Sequence, residues 1–199
     1  MRTPHLIRVA KGVLAATICG LSITSCADLA RTGRGPAYLI MERVEGASGG
    51  ATSSSTFTAS LESDVLVGGL AYRDIGRASI RAEMKNSLST TAPTAISAIT
   101  INRYRVRYRR TDGQNREGID VPYGFDGGTT VTIAAGSSGT VQFDLVRAQS
   151  KLEAPLRNLA SGGGLLIIST IAEVTFYGSD QAGNEVSISG TIDVRFADF

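Results

Sequence analysis

The 199-residue chain has no tryptophan, one histidine, two cysteines, three methionines and five prolines. The positions of these few residues turn the shortages into exclusions. His5 and Cys19 both fall within the first 25 residues, so everything from Cys26 onward has no imidazole and a single thiol. Catalysis that needs a histidine as base or metal ligand, including the serine and cysteine triads and histidine-bound zinc, is thereby excluded from that part. A lone cysteine also rules out a disulfide framework, so the core alone must hold the fold. The longest apolar run, residues 12–25 (GVLAATICGLSITS), falls short of the roughly 20 residues a helix needs to cross a bilayer. No transmembrane helix is expected.

That run is informative in another way. Arg2, Arg8 and Lys11 precede it with no acid among them, which makes the pair of segments the basic and apolar regions of an export signal. It ends in Ile23-Thr24-Ser25-Cys26: an aliphatic residue, two small residues, then cysteine. This resembles the lipobox of bacterial lipoprotein precursors. The resemblance implies diacylglyceryl transfer to the Cys26 thiol, cleavage between Ser25 and Cys26, and acylation of the new amine, typically with palmitate. Cys19 does not fit that role, because Ile18 before it is too large for the peptidase. Ala27 is closer to the sorting signal for the outer membrane than an aspartate would be, so the resemblance implies a cell-envelope address on the periplasmic face of that membrane. The expected organisation is a signal peptide at 1–25, a lipidated cysteine and tether at 26–36, and one domain at 37–199.

Charge follows the same division. The signal holds three of the 20 basic residues and none of the 18 acidic ones, leaving 17 against 18 and a net charge of −1. Wholesale attraction to nucleic acid is therefore not expected. Among the remaining basic residues arginine outnumbers lysine 15 to two.

From Ala37 the sequence alternates with period two. In the last segment Val186, Ile188, Ile192, Val194 and Phe196 share one face, while Glu185, Ser187, Ser189, Thr191, Asp193 and Arg195 share the other. Residues 37–44, 78–85, 99–109, 129–134, 140–147 and 165–177 read as further strands, with a shorter one at 64–67. Asp112-Gly113 and Ser179–Asn184 read as hairpin connections. Only residues 151–159 (KLEAPLRNL) suggest a helix, which Pro155 limits to a turn or two. The expected fold is all-β: an antiparallel β-sandwich of immunoglobulin-like architecture with seven or eight strands. An outer-membrane barrel does not fit, because the alternate positions before Phe199 are Ala197, Arg195, Asp193 and Thr191, the polar set.

Arg103, Arg105, Arg107 and Arg109 alternate with Tyr104, Val106 and Tyr108, which in an extended strand places four guanidinium groups on one face. Such a ladder can hold a phosphate or carboxylate group, since arginine forks match oxyanions. It is equally a solvated face balanced by acids on neighbouring strands, among which Glu173, Glu185, Asp193 and Glu83 are placed to serve, and this balance is the expected arrangement. Asp112, Asn115, Asp120 and Asp126 form an oxygen-rich stretch, but Gln114 and Arg116 break the alternation of a calcium loop, so turn formation is the better reading and no metal is expected. Gly162-Gly163-Gly164 lacks the Lys-Ser or Lys-Thr of a phosphate loop. The six tyrosines are expected in packing, since no tryptophan completes a sugar platform.

What remains for an enzyme is chemistry between two carboxylates, as in glycoside cleavage of an envelope polysaccharide, or a serine with Lys85 or Lys151 as base. Neither lysine stands in a serine-lysine motif, so no catalytic residue and no cofactor is expected. The stretches INRYRVRYRRTDGQNREGIDVPYGFDGG and TFYGSDQAGNEVSISGTIDVRFADF resemble a group of bacterial envelope proteins to which no activity is attached, and no functional residue is carried over. The expectation is a membrane-anchored envelope lipoprotein that binds or builds. Its expected partners are the lipid bilayer through acylated Cys26 and an envelope protein or anionic glycan, with no nucleic acid.

Overall fold

The computed structural model describes residues 35–50, 56–86, 93–160, 162 and 165–199. The expected signal segment 1–25, Cys26 and residues 27–34 lie outside the described residues. Among those described are eight strands: β1 (Ala37–Ala47), β2 (Ser60–Asp64), β3 (Asp74–Met84), β4 (Ile99–Arg109), β5 (Phe125–Ile133), β6 (Ser137–Val146), β7 (Ile168–Asp180) and β8 (Glu185–Ala197). They form two sheets, β1-β3-β6 and β2-β8-β7-β4-β5. This is the strand order of an immunoglobulin-like sandwich. Every pairing is antiparallel except β2 with β8, which run parallel.

Boundaries depart from the sequence reading where burial departs from alternation. The short strand occupies Ser60–Asp64 and not 64–67. Leu61 and Ser63 are the buried pair that sets its register, and Val65 is already past the ladder, its N–H going to the Ala197 carbonyl. β7 begins at Ile168, leaving Leu165, Leu166 and Ile167 exposed ahead of it. Residues 148–159 divide into one helical turn, α1 (Ala148–Lys151), and a 3-10 turn at Leu156–Leu159, because the proline between them cannot donate to a continuous helix. The link after β4 spans residues 110–124, far longer than a tight hairpin.

The core is one apolar cluster between the sheets. Its centre is aromatic: Tyr104 of β4 and Phe176 of β7 pack against Phe143 of the facing sheet, with ring centroids 5.3 and 5.2 Å from it. Two glycines make the room. A Cβ on Gly76 would lie 2.3 Å from Phe143 Cζ, and one on Gly127 would lie 2.3 Å from Tyr104 Cζ. The tyrosines then bond across the gap, Tyr108 Oη donating to the Leu145 carbonyl at 2.6 Å and Tyr104 Oη accepting the Asp144 N–H at 3.1 Å. Each buried hydroxyl thus finds the partner it needs.

The sandwich has two distinct ends. The chain enters β1 at the end where Pro36 accepts the Lys85 N–H and Gly35 lies against Asp180 and Asn184 of the β7–β8 turn. The β2–β3, β4–β5 and β6–β7 connections and the residues after β8 lie at the opposite end.

Candidate functional site

Strict alternation from Ile99 would put Ile99 and Ile101 on the same face as the four arginines. The strand avoids this with a bulge: its register slips by one between Ile101 and Arg103 against both β5 and β7. The slip reverses the parity. Ile99 and Ile101 are buried before it and Tyr104, Val106 and Tyr108 after it, which leaves Arg103, Arg105, Arg107 and Arg109 on the outer face of the five-stranded sheet.

Register then decides their partners. Arg105 lies directly across from Asp126 on β5 and grips it with Nε at 3.2 Å and Nη2 at 2.9 Å from Oδ2. Arg103 reaches the same carboxylate at 3.9 Å and lays its guanidinium 4.3 Å above the Tyr177 ring. On the other side, Arg109 lies 3.7 Å from Glu173 of β7, the residue that pairs with Arg107 in register. The hydrogen bonds of Arg105, reinforced by the charges of Arg105, Arg103 and Arg107, hold the Asp126 carboxyl below the usual carboxylate range. Of the acids proposed from sequence, Glu173 takes part, while Glu83 pairs with Arg81 on its own strand. Asp126, read as a turn residue, is the chief partner.

The four guanidinium groups of β4 thus have two carboxylates within ion-pair distance, all partly open to water. Exposed pairs of this kind are screened and contribute little to stability. Their unused N–H donors remain able to meet an oxyanion. Beside Arg103 and Tyr177 an open groove of about 600 Å³ continues over Asn102, Glu185 and Ser187.

The oxygen-rich loop is divided among arginines. Asp112 binds Arg110, and Asp120 accepts Nε of Arg116 at 2.7 Å, while Asn115 accepts the Arg110 N–H at 2.6 Å. Both aspartates are held low, first by those arginine hydrogen bonds. Among the described residues no three His, Cys, Asp or Glu side chains group to hold a metal. The tyrosines do not share a platform either: Tyr104 and Tyr108 are core, Tyr177 lies under Arg103, and Tyr72 and Tyr123 are exposed at the end opposite the chain entry.

One cluster was invisible in the sequence. Lys151, only 1% exposed, donates to Asp74 Oδ1 at 2.9 Å and to the Asp64 carbonyl at 2.7 Å. Asp74 also accepts the Gly49 N–H at 2.8 Å and the Ser63 hydroxyl at 2.5 Å. Burial pushes the Asp74 carboxyl above its usual range, against the opposing pull of the Lys151 charge and these hydrogen bonds. Serine and lysine both donate to one carboxylate in a sealed interior, so the cluster has no face open to a substrate. It joins α1, β2 and β3 at one end of the sandwich. The only hint available in sequence was that Lys151 is one of two lysines after residue 25. No protein-family model, no curated protein and no solved structure matches this chain.

Proposed function

We propose that this protein is a lipid-anchored component of the bacterial cell envelope that acts by binding or structural association, with the sandwich as its working domain. The observation that carries the reading is Ile23-Thr24-Ser25-Cys26 at the end of a basic-then-apolar leader, with only eight residues between Cys26 and Gly35, where the described domain begins. Acyl chains on Cys26 and its amine supply the two lipid anchors that stable membrane attachment requires. Ala27 favours the periplasmic face of the outer membrane as the address. The arrangement of acids supports binding over catalysis, since Asp112, Asp120, Asp126 and Glu173 each face an arginine.

Labelled palmitate fed to cells tests the anchor. The intact chain is expected to take up label and to stay with membranes in high salt. Cys26→Ser is expected to take up none and to accumulate as uncleaved precursor. Label persisting on the serine variant would remove the proposal.

A further inference from the structure

We infer that the end of the sandwich opposite the chain entry is a docking surface for a protein partner that presents an uncharged, apolar patch and lies away from the anchoring membrane. Among the described residues eleven large hydrophobic side chains are exposed, and nine of them lie at this end. Leu70 and Tyr72 belong to the β2–β3 connection, and Ile119 and Tyr123 to the β4–β5 connection. The rest precede β7 or follow β8, led by Leu165 at 89% exposed. Scattered exposed apolar residues need no explanation, but concentration at one end marks an interaction surface. The surface is also braced. Lys151, Asp74 and Ser63 tie α1, β2 and β3 together at the same end, fixing the strands from which its β2–β3 connection springs.

Three features identify the occupant. The first is reach, and it rests on the lipid anchor proposed above. The nine Cα–Cα steps from Cys26 to Gly35 span at most about 32 Å when fully extended. The 13 residues of β8 alone extend for about 43 Å from the entry end to the far end. With the far end pressed on the bilayer, the entry point would stand higher than the tether can reach, so the anchoring membrane is not what covers it. The second is orientation: copies standing upright in one leaflet point their far ends the same way, which disfavours an end-to-end contact between them. The third is charge. Apart from the buried Lys151, the connections at this end carry five arginines and five carboxylates, among them the pairs Arg110–Asp112 and Arg116–Asp120. A surface whose charges balance among themselves and which exposes many apolar side chains suits an apolar partner patch and gives an anionic glycan or lipid headgroup no net attraction.

The test is site-specific photocrosslinking of the full chain in its own cells, with benzoylphenylalanine placed at Tyr123 or Leu70 at the far end, or at Ile96 at the entry end. The expected result is one adduct, identified by mass spectrometry as the same second protein, from both far positions and none from Ile96. Leu165→Ser combined with Ile167→Ser should lower the adduct from Tyr123 about tenfold, the loss of one or two interface anchors, at an unchanged unfolding midpoint. Adducts to phospholipid, adducts to a second copy of this chain, equal labelling from Ile96, or no adduct would each overturn the inference. Palmitate uptake is read in the same cells. A labelled chain with no far-end adduct sinks the docking surface alone, whereas an unlabelled chain sinks the anchor and the orientation argument with it.

Discussion

A charged side chain with no route to solvent, such as Lys151, makes demands that an exposed one does not. Its ammonium donates to Asp74 and to the Asp64 carbonyl, residues 77 and 87 positions away in the chain. Deleting one partner of such a pair leaves the other buried and uncompensated. Asp74→Asn is therefore expected to lower the unfolding free energy by about 3–5 kcal/mol, measured in urea, while Asp74→Leu together with Lys151→Met should recover most of that loss. A single mutant of full stability would show that the pair relaxes into water. The β4 arginines are the contrasting case, with Arg103, Arg105 and Arg109 between 41% and 66% exposed. Arg105→Ser with Arg107→Ser should leave the thermal midpoint close to that of the parent. A large fall would mean that the grip on Asp126 holds β5 in place. This contrast explains what was legible at the residue scale. Four arginines at alternate positions announce a face, whereas one lysine in a short helical segment reads by default as solvated, and its partners are brought to it only by the fold.

Strands were legible wherever alternation persisted, and their edges failed where the backbone departs from it. The bulge after Ile101 cannot be seen in a list of apolar residues, yet it alone reconciles Ile99 and Ile101 with the tyrosines that follow. Gly178 shows how tightly the neighbouring strand fits there. A Cβ at that position would lie 2.2 Å from the Thr100 carbonyl oxygen and 2.9 Å from Ile101 Cα, both backbone atoms that cannot swing aside. Gly178→Ala should consequently force β7 away from β4 and cost about 1–3 kcal/mol in denaturant unfolding, as overpacking does. A neutral result would mean that the bulge absorbs the methyl group. The β7–β8 turn depends on a titrating group. Asp180 accepts the N–H groups of Ala182 and Asn184, each at 2.9 Å, and the Asn184 side-chain amide at 2.8 Å. The Asn184 side-chain bond and then the backbone bonds lower its pKa from the ordinary 3.8. A carboxylate lowered in the folded state contributes stability above the unfolded value and loses it as pH falls through the folded one. Protection against amide exchange at Ala182 and Asn184, taken relative to the intrinsic rate at each pH, should accordingly fall below about pH 4, selectively within this turn, and Asp180→Asn should remove that fall. Protection that stays constant down to global unfolding would show that the backbone alone holds the turn.

At the scale of the whole molecule, composition was the most reliable guide, because a chain whose later part has one cysteine, no histidine and persistent period-two patterning has few ways to bury a core. The asymmetry between the two ends was not legible. Exposed residues such as Leu70, Tyr123 and Leu165 are far apart in sequence, and only the strand order gathers them. The same strand order makes the two sheets a single cooperative unit, since the aromatic centre belongs to both and Tyr104 and Tyr108 bond across the gap. No part of that core calls for a metal or a disulfide. A chain of residues 27–199, lacking lipid, is thus expected to fold without added metal and to unfold in one step, with tyrosine near-ultraviolet and peptide far-ultraviolet dichroism falling together, unchanged by a chelator. Tyr108→Phe should keep that single step but lower stability by about 1–2 kcal/mol, because the Leu145 carbonyl loses its partner inside the core. Two separated transitions would show that the sheets are held together less tightly than the shared aromatics imply. A midpoint that moves with chelator would point to a bound ion, and the carboxylates of the 110–124 loop, now occupied by Arg110 and Arg116, would be the first place to look for its ligands.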